Sequence, residues 1–373
     1  MKILLDPQIF NAQKFGGISR YFSEIYKYIH LENPQSIVLP LIYTENLHIK
    51  EIVTTEISLW DKMALQFSFL RRKVTRKLKR KNKRCAQSVI SAGNFDLFIP
   101  TYYDTYFLDL IGNKPFVLTV YDMIHELFPQ YFKGDLYTVK NKKELMEKAT
   151  KIIAISESTK NDILKFYPHI NAAKIEVIYL SQSIDPKNYT EVELPKSYIL
   201  FVGNREGYKN FTFFLKSIYS LLQADGDLHI VCAGGNKFNS DEIRLIQTLN
   251  ISNQIIQNNF EDRELASYYK NAICFVFPSE YEGFGIPVLE SMACGCPVVL
   301  AHHSSFPEVA GDAGVYFELN NEVDLKDKVV SLIDNEVYRN QIIQKGFLQY
   351  AKFSWKKTAQ ECTELFKSTI KNE

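Results

Sequence analysis

Short apolar runs alternate with amphipathic segments along both halves of the chain, and this alternation constrains the fold more than any other feature. Residues 197–202 and 272–277 are apolar, and each run precedes a segment with helical spacing of its apolar residues. Strands that alternate with helices form βαβ units, and their strands share a parallel sheet. With 373 residues the chain is longer than a single hydrophobic core usually supports. The sequence therefore predicts an α/β protein with two Rossmann-like, doubly wound parallel-sheet domains.

The boundary between the domains is predicted from a break in periodicity. Residues 184–196 contain two prolines and no apolar repeat, which is typical of a linker. We therefore expect an N-terminal domain over residues 1–183 and a C-terminal domain over residues 197–352. The amphipathic segment 353–373 is expected to pack back on the N-terminal domain, with the linker as a hinge for closure.

Cysteine usage and hydropathy place the protein in the cytoplasm. Six cysteines are too few for a disulfide scaffold, so we expect reduced, mostly buried thiols. The pair Cys294 and Cys296 lacks zinc-site spacing, and no metal ligand set is expected. The N-terminal apolar run is too short and too soon acidic for a signal peptide, and no run approaches the ~20 residues of a spanning helix.

Positive charge is concentrated in one segment. Residues 71–84 hold ten basic and no acidic side chains, whereas the rest of the chain has 34 basic against 43 acidic residues. We predict one helix over residues 59–84 that lies on the anionic inner face of a membrane. A core-packed helix with a solvated charged face remains an alternative, and nucleic acid is disfavoured because the remaining acidic surface would repel it. The residues expected at the membrane are Trp60, Phe67, Arg71, Arg72, Lys73, Lys77, Lys79 and Arg80.

A turn in the C-terminal half has the composition of a ligand site. After the apolar run at 272–277, the chain passes Glu282, Gly283 and Gly285 and then enters a helix that contains Glu290. Turns between a strand's carboxyl end and a helix N-terminus bind ligands in open α/β sheets. The free N–H groups of the helix N-terminus donate to hydroxyl or phosphate oxygens there.

Two stretches of the N-terminal half are candidates for the other side of that site. The pair Gly16 and Gly17 precedes a helix, and paired glycines let a backbone approach a ligand, although a plain tight turn fits equally well. Asp122 and His125 follow the apolar run 115–120, at a strand's carboxyl end. They are placed for catalysis or substrate binding, with a structural histidine as the alternative.

Residues 277–295 resemble the signature of retaining glycosyltransferases of the GT-B fold, specifically glycosyltransferase family 4. Further segments similar to that family lie at residues 16–21, 154–158, 201–210 and 305–314, so the resemblance covers nearly the whole chain. The resemblance implies two Rossmann-like domains that face a cleft. It also implies a nucleotide diphosphate sugar as donor, bound mainly by the C-terminal domain.

The resemblance assigns roles to individual residues. Glu290 is expected to bind the ribose hydroxyls, Glu282 the transferred sugar, and Arg205 and Lys209 the diphosphate. Catalytic roles are expected for Glu282, His125 and Asp122. The donor site is expected to comprise Gly16, Gly17, Gly203, Asn204, Arg205, Lys209, Gly283, Phe284, Gly285 and Glu290.

The implied reaction is transfer of a hexose from a GDP- or UDP-linked donor, with a preference for GDP-mannose, to a glycan or lipid-linked acceptor of surface polysaccharide synthesis. It needs no metal and no cofactor besides the donor. Two positions depart from the family pattern: Tyr208 stands where an arginine is frequent, and Tyr121 where a histidine is frequent. A nucleotide-sugar epimerase of the same architecture and a non-catalytic nucleotide-sugar-binding protein are the alternative functions.

Overall fold

The N-terminal half contains a parallel sheet. The computed structural model describes residues 1–53, 57–132 and 134–371, so the last two residues of the predicted C-terminal segment lie outside it. The strands are β1 (Ile3–Leu5), β2 (Ile37–Val38), β3 (Leu97–Ile99), β4 (Val117–Val120), β5 (Lys151–Ala154) and β6 (Ile175–Val177). They pair in the orders β2-β1-β3 and β4-β5-β6, and a parallel bridge from Phe98 to Phe116 joins the two groups.

The C-terminal half contains a six-stranded sheet with parallel pairing throughout. Its strands are β7 (Ser197–Val202), β8 (Leu228–Ala233), β9 (Ile255–Asn258), β10 (Cys274–Phe277), β11 (Val298–Ala301) and β12 (Gly314–Phe317). The order is β12-β11-β10-β7-β8-β9, so the strand sequence reverses between β7 and β10. This topological switch point is where doubly wound sheets bind ligands. Both predicted Rossmann-like domains, and the GT-B class, are confirmed.

Helices flank both sheets. Those of the N-terminal half are α1 (Gln8–Ala12), α2 (Gly17–Glu32), α3 (Leu59–Gln66), α4 (Ser68–Ala92), α5 (Ile124–Leu127), α6 (Leu136–Lys148) and α7 (Glu157–Phe166). The others are α8 (Phe211–Ala224), α9 (Ser240–Thr248), α10 (Leu265–Lys270), α11 (Ile286–Ala293), α12 (Phe306–Ala310), α13 (Glu322–Asp334), α14 (Glu336–Tyr350) and α15 (Trp355–Lys371). Residues 184–196 form neither helix nor strand.

Helix α15 returns to the N-terminal half, where it packs on α2. The Tyr21 and Trp355 rings lie 6.3 Å apart, and the Tyr21 hydroxyl lies 3.5 Å from the Cys362 thiol. The Trp355 indole N–H also donates to the Ser183 hydroxyl at 2.8 Å, next to the linker. All six cysteines are free thiols, and five of them are buried. Within the described ranges, no helix combines the length and apolarity needed to cross a bilayer.

Three sequence predictions of secondary structure are wrong. The segment 59–84 is not one helix, because Phe67 is extended (φ −90°, ψ 118°) and separates α3 from α4. The apolar run at residues 36–42 predicts a longer second strand, but only Ile37–Val38 pair in the sheet, and Pro40 soon after them has no N–H for a ladder. The stretch after β1 is rich in Asn, Gln and Lys, which predicts a loop, but it contains α1.

Candidate active site

The two halves meet directly at the glycine turn that follows β10. A Cβ built on Gly283 would overlap the Tyr121 carbonyl oxygen and lie 3.1 Å from Asp122 Cβ. A Cβ on Gly17 would lie 3.5 Å from Ile286 Cδ1, in the first turn of α11. The cleft is therefore closed at this point, and both stretches predicted from the N-terminal half face the predicted C-terminal turn.

Lys209 and Glu282 meet at the switch point of the C-terminal sheet. The ammonium lies 2.5 Å from the Glu282 carboxylate oxygen, and the two side chains are 20% and 14% exposed. Burial is the largest single effect and opposes protonation of Lys209, but the combined effects of Glu282, Tyr208 and Asp122 outweigh it and raise the Lys209 pKa. A charged, partly buried cation thus stands where β7 and β10 end.

Two serines outside the predicted site shape the backbone around Glu282. The Ser305 hydroxyl donates to the carbonyls of Glu282 and Phe284 at 2.9 and 3.0 Å. The Ser304 hydroxyl accepts from the Glu282 N–H at 3.2 Å, and Ser304 itself has a positive φ of 51°. These serines belong to the segment 305–314 or adjoin it, and only the family resemblance marked that segment in the sequence.

Glu290 lies inside α11, and its side chain is nearly enclosed. The residue is 8% exposed, and its carboxylate accepts from the Tyr269 hydroxyl at 3.3 Å. Burial raises the pKa of Glu290, and the nearby positive charge of Arg20 opposes this shift. Arg20 also forms a 3.1 Å ion pair with Asp262, which ties α2 to the loop before α10. No sequence pattern predicts this ion pair between the two halves.

Arg205 does not occupy the position expected of a diphosphate ligand. Its side chain is 2% exposed, and its Nε donates to Glu242 at 2.8 Å. The guanidinium also donates to the carbonyls of residues 234, 235, 236 and 237, at 2.9–3.2 Å. Because these donors are already used, Arg205 anchors the loop after β8, and the predicted diphosphate contact is wrong for this structure.

Asp122 and His125 lie on the N-terminal side of the cleft. The Asp122 carboxylate accepts from the Ile124 N–H at 3.1 Å, which starts α5. The His125 ring lies 4.3 Å from the Phe132 ring, and its Nε2 is 3.4 Å from the Asp135 carboxylate. His125 Nδ1 is buried with no hydrogen-bond partner in the described part of the chain. Asp122 thus adjoins the closed turn, whereas no hydrogen bond or ion pair joins His125 to Glu282 among the described residues.

A buried ion pair holds residues 122–126 against α6, and the sequence did not predict it. The Lys142 ammonium lies 2.7 Å from Glu126, with side chains 0% and 4% exposed. It also donates to the Asp122 carbonyl at 3.1 Å. No sequence pattern would have singled out Lys142, because it is one of several lysines along α6.

The remaining predicted donor residues have distinct surroundings. Gly16, Gly203 and Gly285 have φ values of 152°, 98° and 91°, which other residues rarely adopt. Asn204 is exposed. The Phe284 ring is buried and lies 6.0 Å from the Phe353 ring, so only its backbone can face a ligand.

Further contacts hold the cleft closed away from Glu282. The Tyr281 hydroxyl donates to Asp162 in α7 at 2.8 Å. The Glu308 carboxylate of α12 accepts from the N–H groups of Glu157 and Ser158 at 2.8 and 3.0 Å. It therefore satisfies donors in the first turn of α7 from the other half of the molecule.

The residues expected at a membrane divide into two groups. Trp60 and Phe67 are 79% and 53% exposed. Lys77 pairs with Asp61 at 2.9 Å, and Lys73 is exposed. Arg71, Arg72, Lys79 and Arg80 instead line a cavity against the N-terminal sheet. Among the residues the structure describes, no cluster of three His, Cys, Asp or Glu side chains is placed to hold a metal ion.

The two Rossmann-like domains, with Glu282 and Glu290 at the switch point of the C-terminal sheet, are those of a two-domain transferase. Comparison with known families agrees. Residues 15–181 match Glycosyltransferase Family 4, and residues 187–349 match Glycosyl transferases group 1. The chain belongs to these GT-B glycosyltransferases.

Individual relatives agree with the family. The chain is 28% identical to O-antigen chain mannosyltransferase B of Escherichia coli, over 67% of this chain and 70% of that protein. It is 26% identical to an N-acetylgalactosamine-N,N'-diacetylbacillosaminyl-diphospho-undecaprenol 4-alpha-N-acetylgalactosaminyltransferase of Campylobacter jejuni, over 62% of this chain and 64% of that protein. The E. coli mannosyltransferases WbdA are longer and are matched over at most 36% of their length.

A solved structure is similar over the whole chain. Anabaena Alr3699/HepE in complex with UDP and glucose superposes with a TM-score of 0.69, at 16% identity, covering 99% of this chain and 100% of that chain. At this level of identity the similarity shows the fold.

Proposed function

We propose that this enzyme transfers a hexose, with retention of configuration, from a nucleotide diphosphate sugar to a glycan or lipid-linked acceptor in surface polysaccharide synthesis. The observation that carries the proposal is the Lys209–Glu282 pair at the switch point of the C-terminal sheet. Two relatives support the substrate class, because one is an O-antigen chain mannosyltransferase and the other an N-acetylgalactosaminyltransferase for a diphospho-undecaprenol acceptor.

The reaction divides between the two halves of the cleft. The bond between the sugar C1 and the β-phosphate oxygen breaks, and a bond forms between C1 and the acceptor oxygen. The proton of the acceptor hydroxyl passes to the departing phosphate on the same face of the sugar. In this scheme Lys209 stabilises the charge that the phosphate gains, which is a role a metal ion fills in other enzymes.

Two carboxylates position the donor in this proposal. Glu290 accepts hydrogen bonds from the ribose hydroxyls, and Tyr269 fixes its orientation. Glu282 exchanges part of its contact with Lys209 for the hydroxyls of the transferred sugar. The backbone N–H groups at the start of α11 add donors from a helix N-terminus. We retain GDP-mannose as the preferred donor, with UDP-linked sugars as the alternative.

Membrane association is part of the proposal. Leu59, Trp60 and Phe69 are 77–79% exposed, and they adjoin the basic helix α4. Exposed aromatic side chains beside a basic helix are typical of an interfacial element on anionic lipid. Flotation with anionic and neutral vesicles tests it, since equal binding to both, or none, would contradict the proposal.

The experiment that tests the transfer site is Glu282→Ala with labelled donors. We expect transfer to fall on the order of 10²–10³-fold while the fold is kept, because one transition-state contact is lost. Thermal shifts with UDP, GDP and ADP identify the base, because a ligand at 100 times its Kd adds about 2.7 kcal/mol. Incubation without acceptor separates an epimerase, which would convert free donor. Full activity of the Glu282→Ala variant would contradict the assignment of Glu282 to the transfer site.

A further inference from the structure

The N-terminal sheet has its own switch point, and a cavity lies there. The strand order β2-β1-β3 reverses direction between β1 and β3. Asp6 follows β1, and Tyr102 and Tyr106 follow β3. These residues and the helix α4 enclose a cavity of about 850 Å³, which we call the α4 cavity. Its size and its place in the sheet are those of a ligand site.

The wall that α4 contributes is strongly basic. Six of the ten basic residues of the segment 71–84 line the α4 cavity. Arg71 pairs with Glu45 at 2.9 Å and Lys83 pairs with Asp104 at 2.8 Å. The other four form no ion pair among the described residues. Arg72, Arg76 and Arg80 are four positions apart, and Lys79 lies three positions after Arg76, so the four share one face of the helix. Unpaired cations around a concave surface attract an anionic ligand.

The opposite wall is lined by polar side chains, which include Gln8, Asn11, Tyr102 and Tyr106 around a buried Asp6. Asp6 is 1% exposed and accepts from the Tyr106 hydroxyl at 2.9 Å and from the Gln8 amide at 2.5 Å. Burial raises the pKa of Asp6 to about 7, so this wall carries less negative charge than its carboxyl groups suggest. The side chain of Asn11 also lines this wall. The ligand that fits both walls has an anionic end and a hydroxylated end.

The α4 cavity adjoins the transfer site. Tyr102 lines the cavity. The Tyr102 ring lies 4.8 Å from the Tyr103 ring, and the Tyr103 hydroxyl accepts from the Tyr121 N–H at 3.3 Å. The carbonyl of that same residue, Tyr121, meets the Gly283 turn across the cleft. The Tyr102 end of the α4 cavity therefore points toward the turn that carries Glu282.

We infer that the α4 cavity binds the phosphate or diphosphate group of the acceptor, with the sugar to be extended pointing toward Tyr102; this role rests on the transferase function proposed above. The basic face of α4 then recognises a particular ligand and not only a charged surface. The same phosphate chemistry is present in phospholipid headgroups, so the test must separate the two sources.

Inorganic pyrophosphate is the probe, measured by titration calorimetry with the full chain. The variant Arg76→Gln/Arg80→Gln removes two cavity cations, and Lys73→Gln/Arg84→Gln removes two exposed cations of α4 that do not line the cavity. We expect the first variant to bind pyrophosphate at least about 20-fold more weakly, because two charge-assisted hydrogen bonds are lost, and the second to stay within about twofold of the parent. Equal losses in both variants, or no binding to the parent, would overturn the inference.

Two further arms separate the sources and the sites. Lys209→Met should abolish nucleotide diphosphate binding and leave pyrophosphate binding unchanged; if it abolishes pyrophosphate binding, the probe occupies the donor site and the inference fails. If Lys209→Met spares nucleotide binding, the proposed donor site fails instead. Vesicles of phosphatidylglycerol measure the lipid source: the inference expects both double variants to lose similar vesicle affinity, and a loss confined to the cavity variant would assign the α4 cavity to a lipid headgroup.

Discussion

Gly283→Ala tests whether the closed cleft is the working arrangement of this enzyme. The added methyl would overlap the Tyr121 carbonyl oxygen and lie 3.0 Å from its carbonyl carbon. Gly283 does not have a positive φ, so alanine fits its backbone and the C-terminal half should fold normally. To relieve the overlap, the two halves must separate by roughly 1 Å at the site of transfer, and such a misplacement costs about 10²-fold in rate, or about 3 kcal/mol.

The assay compares transfer rates and nucleotide affinity in this variant. We expect kcat/KM to fall about 10²-fold while nucleoside diphosphate binding changes less than about threefold, because the proposed nucleotide contacts lie mainly in the C-terminal half. Gly226→Ala is the matched control, since a Cβ there meets nothing within 4 Å. Transfer by Gly283→Ala within twofold of the parent would refute the idea that this closed contact forms during the reaction.

Three other substitutions test the site and its supports. Glu290→Gln should weaken nucleotide binding by about 10-fold or more in calorimetry, because one acceptor of a charged hydrogen bond is lost. Unchanged affinity would show that Glu290 does not bind the ribose. Arg205→Met should lower the free energy of unfolding by about 3–5 kcal/mol in urea, because it leaves Glu242 buried and unpaired, whereas Arg244→Met, on a side chain 78% exposed, should change it by less than about 0.5 kcal/mol. Asp6, with its raised pKa of about 7, adds stability that is complete below pH 3.8 and is lost as the pH rises to about 7. The parent should therefore lose about 3 kcal/mol more than Asp6→Asn between pH 5 and 8, and parallel profiles would contradict this.

Much of the fold could be predicted because apolar runs, and the glycine and proline residues that end them, are local signals. The strands Ser197–Val202, Leu228–Ala233 and Gly314–Phe317 begin and end where the apolar runs do. The break between α3 and α4 could not be predicted, since Phe67 continues the apolar repeat of the helix and neither proline nor glycine marks the break. Apolar spacing does not reveal where a helix turns back.

The site was predictable in its residues more than in its contacts. The turn at Glu282 was marked by its place after a strand and the cation Lys209 by the family resemblance, and the structure brings them together. Arg205 was marked by the same reasoning, but its side chain turns inward to Glu242, and a sequence does not show which way a loop arginine points. The contacts across the cleft, such as Arg20 to Asp262 and Tyr281 to Asp162, join residues 119 to 242 positions apart, and no local pattern encodes them.

Glu308 gives this molecule an internal reporter of its own opening. The first-turn amides of Glu157 and Ser158 have their acceptor in the other half of the chain only while the cleft is closed. When the halves separate, those two N–H groups pass to water, and the start of α7 loses a cap that its own segment does not replace. The start of one helix is therefore sensitive to a motion between the two halves, and amide hydrogen exchange at these two residues would report the fraction of molecules in which the cleft is open.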